Sequence, residues 1–330
     1  MDWGLIITNA LRAAVGLEAV IFGLAAIGLN VHFGYTGLLN FGQSAFLGVA
    51  GYGLAISVAQ FQLPTLVGVA IGLLGAVVLA LLLGIPTLRL RADYLAIVTI
   101  AAAEIVRLLF RSVTLSEYTG GSDGLGRFAE GFYSVNPYGP GRYGIGPVDF
   151  NERVFWAITV GWILVALSCL LIWLLMRSPW GRVLKAIRED EDAVRSLGKN
   201  VYAYKMQSLV LGGVIGSLGG FIYAWGNAAV QPDFFGTETT FFCYAIVILG
   251  GAARVLGPVV GAMIFWALLS FADNALAQAQ SAGYISPAIL STFERGAVRI
   301  MLVGAGIMAL IIFRPQGLFG DRKELQLDAR

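Results

Sequence analysis

Eleven charged residues fall between Arg177 and Lys205, and the apolar stretches on either side, Val154–Met176 and Met206–Val230, hold none. Arg177, Arg182, Lys185, Arg188, Arg195, Lys199 and Lys205 supply the cations, and Glu189, Asp190, Glu191 and Asp192 form one acidic run. Such a cluster suits docking and charge recognition better than bond-breaking chemistry. The pair Glu104 and Arg107 stands three residues apart on one helical face, inside an otherwise apolar run. It reads either as a functional ionisable site within a membrane or as an internal ion pair near a helix end. His32 is the single histidine, and Cys169 and Cys243 both lie in apolar runs, so packing is the expected role of all three. No nucleophile–base pair or metal-ligand spacing is evident, which sets an enzyme aside. No Gly-x-x-x-x-Gly-Lys-[Ser/Thr] loop occurs, so this chain is not expected to bind or hydrolyse nucleotide itself.

The elements that must position these residues are membrane spans. Of 330 residues, 58% are hydrophobic and 13% charged, whereas a soluble domain carries about 25% charged residues. The net charge of +2 gives no reason to expect a nucleic-acid partner. Asp2 precedes the first apolar residues and no basic region opens the chain, so a cleaved signal peptide is not expected. From residue 19 to residue 88 there is no charge at all, enough for about three spans of roughly 20 residues each. The expected spans are Leu17–Val31, Gln43–Ala59, Pro64–Ile85, Asp93–Phe110, Val154–Met176, Met206–Val230, Val255–Ala272 and Gly296–Phe313, and the shorter Phe241–Ala253 reads as a half-helix ending at Gly250-Gly251. The expected fold is therefore an all-α polytopic membrane protein with about eight spans plus broken or half helices. It forms one transmembrane domain over residues 1–330. The Lys/Arg bias places the 177–205 loop and the 314–330 tail, with Arg314, Arg322 and Lys323, in the cytoplasm, and it leaves the 111–153 loop and residues 273–295 outside. Arg89 and Arg91 agree with that orientation.

Broken helices are tolerated in a membrane only inside protein or beside water, so Gly-interrupted segments point to a transport pathway. One such segment, Gly34 to Gly53, carries Gly37, Asn40, Gln43 and Ser44, and the other contains Gly250 and Gly251. Together with Thr99 and Glu104 these are the candidate pathway residues. One interruption in each half suggests a weak internal duplication. In the charged loop, Ser178-Pro179 is a helix start, and a first helix is expected from Pro179 to about Arg188. A second follows the acidic run and stops near Gly198. Val183, Ile187, Val194 and Leu197 fall on one apolar stripe. That stripe must be covered by a membrane surface or by a partner protein, and the acidic run favours protein.

Several blocks, in order along nearly the whole chain, resemble one family. They are Gly34-Tyr35-Thr36-Gly37-Leu38-Leu39-Asn40-Phe41-Gly42-Gln43-Ser44-Ala45-Phe46-Leu47-Gly48, Leu88-Arg89-Leu90-Arg91-Ala92-Asp93-Tyr94-Leu95-Ala96-Ile97-Val98-Thr99, Thr119-Gly120-Gly121-Ser122-Asp123-Gly124, the stretch from Gly181 to Glu191, Ile248-Leu249-Gly250-Gly251 and Arg314-Pro315-Gln316-Gly317-Leu318. The chain resembles the inner-membrane permease of branched-chain amino acid ABC importers, of the LivM-like type. The resemblance implies a pseudo-duplicated, type II-like importer permease in the bacterial cytoplasmic (inner) membrane. It implies a second homologous permease, two ABC ATPase subunits that carry ATP and Mg, and an external substrate-binding protein. It makes 177–205 a coupling loop, with Gly181, Arg182, Lys185, Ala186, Ile187, Arg188, Glu189, Asp190 and Glu191 as the segment that meets an ATPase. Ala92, where a Gly is common, and the long external loop depart from the pattern. Branched-chain or other neutral amino acids are the expected cargo; urea or short amides are the alternative, and a stand-alone secondary transporter or channel is a different class, thinly supported by Glu104 and Arg107 alone.

Overall fold

Short caps and long apolar runs set the order of elements. The computed structural model describes residues 2–88, 92–284, 292–314 and 316–320. Helix α1 (Trp3–Val15) is capped by Asp2, whose carboxylate accepts from the Leu5 amide at 3.1 Å. The chain turns at Gly16 into α2 (Leu17–Asn30), which a π-helical turn over Val31–Tyr35 prolongs. α3 (Gln43–Ala59), α4 (Thr65–Thr87) and α5 (Ala92–Arg111) follow. Next come α6 (Ser116–Thr119), β1 (Leu125–Gly126), α7 (Glu130–Tyr133), β2 (Arg142–Ile145) and β3 (Val148–Asn151). α8 (Glu152–Arg177), α9 (Pro179–Glu189), α10 (Glu191–Ser196) and α11 (Val201–Asn227) lead to β4 (Ala229–Val230), and α12 (Thr237–Gly250), α13 (Gly257–Ser281) and α14 (Thr292–Phe313) complete the chain.

Among the described residues five stretches are long and apolar enough to cross a membrane: Leu17–Tyr35, α4, α8, α11 and α13. α1, α3 and α12 are shorter apolar helices. The Leu17–Tyr35 stretch is the centre of the bundle, 83% buried, and α4 is 33% buried. That contrast follows from composition: α2 is apolar all round from Ala19 to Leu29 and is buried on every side, while α4 turns Leu66, Leu74 and Leu82 outward. α8 likewise exposes Ile163, Leu167, Leu170 and Leu174. Rows of bare leucine suit lipid and would be a liability in water. α2 packs closely on α11 because both are glycine-bearing there. A β-carbon on Gly28 would stand 2.2 Å from the Gly212 carbonyl and 2.6 Å from the Gly216 amide, so only small residues allow this approach.

Residues 113–151 are folded rather than a bare loop. β1 pairs antiparallel with β4, and β2 with β3, where Arg142 donates to Asp149 at 2.9 Å. Phe132 stacks on Trp225 with centroids 4.4 Å apart, which fastens this segment to the far end of α11.

Several expected boundaries shift, and α12 starts at Thr237 rather than Phe241. α11 begins at Val201, five residues before the expected Met206, because Asn200 caps it by accepting from the Ala203 amide at 3.1 Å. Lys205 is therefore helical. α13 runs to Ser281, beyond the expected Ala272, because α1 lies against it and satisfies its polar residues: Asn9 Nδ2 donates to Asn274 Oδ1 at 2.7 Å, and Ser270 Oγ donates to the Asn9 carbonyl at 3.1 Å. With α14 starting at Thr292, both described ends of the expected 273–295 connection are helical. Arg89, Arg91, Arg322, Lys323 and the rest of the tail beyond Gly320 lie outside the described residues.

Candidate functional site: a junction of two broken helices and the charged loop

The charged loop folds as its capping residues dictate. Ser178 caps α9 with Pro179 at its first position, and the α9–α10 split falls at Asp190, which accepts from the Ala193 amide at 2.9 Å. Glu191 and Asp192 occupy the first turn of α10, where they complement the helix dipole. Arg195 binds back to Glu191 at 2.8 Å and Asp192 at 2.5 Å, and Lys205 pairs with Glu191.

The apolar stripe is not left for a partner. Ile187 and Val194 are buried with Val201, beside Val183 and Tyr204. Leu184 enters the main core. Leu197 leaves the stripe and is 80% exposed, because α10 ends at Ser196 and the turn carries it outward. The chain itself covers the apolar face, so the expectation that a membrane surface or a partner must do so is corrected. What α9 and its end turn outward is mostly polar: Arg182, Lys185, Glu189 and Asp190 are exposed together with Ala186, while Gly181 and Ile187 are buried.

Arg188 is only partly exposed and points the other way. Its Nη1 donates to the Gly34 carbonyl at 2.6 Å, inside the π-helical turn that ends α2. A β-carbon on Gly37 would touch its Cγ at 3.4 Å. The charged loop is thus bolted to the first broken segment. π-turns are uncommon and recur at functional positions.

That broken segment is braced by the candidate pathway residues. Asn40, Gln43, Ser44 and Thr99 are fully buried. Asn40 Nδ2 donates to His32 Nδ1 at 3.1 Å, and its Oδ1 accepts from the Gly42 amide. His32 Nε2 faces the Leu209 carbonyl at 3.1 Å; a carbonyl only accepts, so the proton is assigned to Nε2. Gln43 Nε2 donates to the Ala25 carbonyl, and Thr99 Oγ1 accepts from the Phe41 amide at 3.0 Å. The Ser44 amide donates to Thr240 Oγ1. In this conformation these groups hold the 36–42 connection in shape rather than line an open channel.

The second break lies against the first. α12 stops at Gly250, and Gly251 follows with φ +103°. Asn30, at the end of α2 and 2% exposed, donates to the Arg254 carbonyl and accepts from the Ala253 amide, both at 2.9 Å. Ala253 sits at φ +58°, a conformation that non-glycine residues adopt only under constraint. The tail closes the same place: the Leu318 amide donates to Leu249 O at 3.0 Å and the Phe319 amide to Gly250 O at 3.2 Å, satisfying carbonyls that a helix end leaves free. Residues of five of the six sequence blocks therefore converge. Glu104 stands apart, in a cavity at the far end of α11, on Arg107.

Asn30 escaped the sequence reading, although a lone amide closing an apolar span was a usable signal. Asn30→Ala removes the two part-buried bonds to the Ala253 amide and the Arg254 carbonyl, at about 0.5–1.5 kcal/mol for each bond. The expected outcome is a lower melting temperature of the purified protein in detergent, with Asn30→Asp intermediate because it still accepts from Ala253. An unchanged melting temperature for Asn30→Ala would remove this clamp from the account.

A family described as "Branched-chain amino acid transport system / permease component" matches residues 12–313. The chain belongs to this family. The permease is 29% identical over 324 residues to the high-affinity branched-chain amino acid transport system permease protein LivM of Escherichia coli K12, covering 93% of this chain and 70% of that protein. It is 24% identical over 343 residues to a probable LivM of Methanocaldococcus jannaschii, covering 92% and 91%. Over 265 residues it is 27% identical to the ribose import permease protein RbsC of E. coli K12, covering 78% and 75%. All three are permease components of transporters, and this permease is an ABC-importer permease of the same family.

Proposed function

We propose that this permease imports branched-chain amino acids, paired with a second homologous permease and driven by two ABC ATPase subunits, with an external binding protein delivering the solute. The α9–α10 end faces the cytoplasm of a bacterial inner membrane, as its cations favour. ATP and Mg belong to the ATPases. The outward face of α9, with Arg182, Lys185, Ala186, Glu189 and Asp190, meets an ATPase. Arg188 then carries the movement of α9 into the end of α2.

The single observation that carries this reading is the Arg188–Gly34 hydrogen bond. A docking helix with no link into the bundle has nothing to push on. Here the push arrives at a π-helical turn whose neighbour, Asn30, holds the second break. The amino acid cargo rests on the LivM relatives, which align over more of this chain than the ribose permease does. The test is uptake by the reconstituted complex with its binding protein. Leucine uptake should require ATP; accumulation without ATP, or import of urea with none of leucine, would overturn the proposal.

A further inference from the structure

At the opposite end of the bundle from α9 and α10, a cavity of about 540 Å³ opens between α2, α5, α12 and α13. Its volume lies in the range of small-molecule sites, about 300–1,000 Å³. One side is aromatic: Phe22 lies 5.1 Å from Trp266 and 6.1 Å from Phe242, ring centre to ring centre. The other side is charged. Arg107 Nη1 holds Asp233 at 2.8 Å, Arg107 Nε holds Glu104 at 3.0 Å, and Nη2 also binds Glu104. Those bonds use three of the five guanidinium N–H donors and leave two. The first turn of α12, from Gly236, forms part of the same wall, and its cap residue is a glycine with no side chain to bond the first-turn amides. Glu18 reaches the cavity from α2, and its Oε2 is sealed from solvent without a hydrogen-bond partner among the described residues. Glu238 stands at the exposed rim.

From this arrangement we infer that the cavity is a binding site for a zwitterionic α-amino acid with an apolar side chain. Glu18 accepts from the ammonium. The carboxylate lies between Arg107 and the α12 N-terminus, where a helix end favours negative charge. The side chain packs on Phe22, Phe242 and Trp266. Glu104 and Asp233 fix the guanidinium and are positioning residues. An uncharged amide such as urea offers neither a cation for Glu18 nor an anion for the α12 first turn and the two Arg107 N–H groups that Glu104 and Asp233 leave. The site rests on the import reading above and gives it an entry point within the permease itself.

The test uses the complete transporter in proteoliposomes and measures leucine imported per ATP hydrolysed. Glu18→Gln should lower that ratio about tenfold, the loss of a charged hydrogen bond, with much of it restored in Glu18→Asp. Phe242→Trp, which narrows the apolar side without touching a charge, should lower leucine import several-fold more than valine import. A ratio equal to the unaltered protein's in Glu18→Gln, or an equal fall for leucine and valine in Phe242→Trp, would overturn the site while leaving amino acid import standing. An unaltered complex that imports no amino acid would overturn the import reading and the site with it.

Discussion

Gly250→Leu should abolish uptake and destabilise the protein, and the cause is the contact between α12 and α13 rather than the break itself. A β-carbon at this position would fall 1.8 Å from the Gly257 carbonyl oxygen and 3.1 Å from the Gly261 amide. Both are backbone atoms, which cannot rotate aside as a side chain can. Overpacking usually costs about 1–3 kcal/mol, and a backbone clash of this depth belongs at or above the top of that range. Relief requires α12 and α13 to separate beside the Leu249 and Gly250 carbonyls, which accept from the tail amides of Leu318 and Phe319. Even Gly250→Ala should lower the melting temperature in detergent, because the first carbon already clashes. Gly304, where a β-carbon would meet no described atom within 4 Å, is the control: Gly304→Ala should leave uptake unchanged and melting no lower. Full uptake and native melting in Gly250→Leu would mean that the two helices do not pack as described.

The second large effect is expected at Arg188. Arg188→Ala removes a charge-assisted bond to Gly34, at about 1.5–3 kcal/mol. If that bond carries motion, uptake per ATP hydrolysed falls about ten- to a hundredfold. Arg188→Lys keeps the charge but not the planar fork and should recover only part of the loss. Glu189→Lys makes the contrast, since Glu189 is exposed on α9 and Arg188 is turned inward. It should weaken association with the ATPase subunits, measured by co-purification, while Arg188→Ala should leave the subunits associated and uncouple them. Transport per ATP equal to the unaltered protein's in Arg188→Ala would dismiss the tether. Loss of ATPase binding in that variant would return Arg188 to the docking surface.

Much of the architecture was legible before any coordinates. α3 has the expected ends, Gln43 and Ala59, since the glycine-rich connection before it and the polar turn after it bound an apolar run. α9 starts at Pro179 as its Ser-Pro pair requires, and the half-helix stops at Gly250-Gly251. Caps and breaks are local, so a short window of sequence contains their cause. The N-terminal α1 was not separated as an element, because its residues alone do not say that Asn9 will bond Asn274. The same long-range contact carried α13 past its expected end.

The charged loop between Arg177 and Lys205 shows where each kind of knowledge ends. Sequence alone determined a polytopic membrane chain, an interrupted helix in each half, and two short capped helices joined near Asp190. Those follow from hydropathy, glycine placement and side-chain capping, all of which act within a few residues. Tertiary structure alone decided which way the loop's residues face. An amphipathic pattern reports that an apolar side must be covered, never by what. Here Leu184, Ile187 and Val194 are covered by this chain, Arg188 reaches Gly34 across 154 positions of sequence, and Asn30 joins the two breaks over more than 220. Such pairs depend on how α2, α9 and α12 pack in three dimensions, and no spacing along one segment records them.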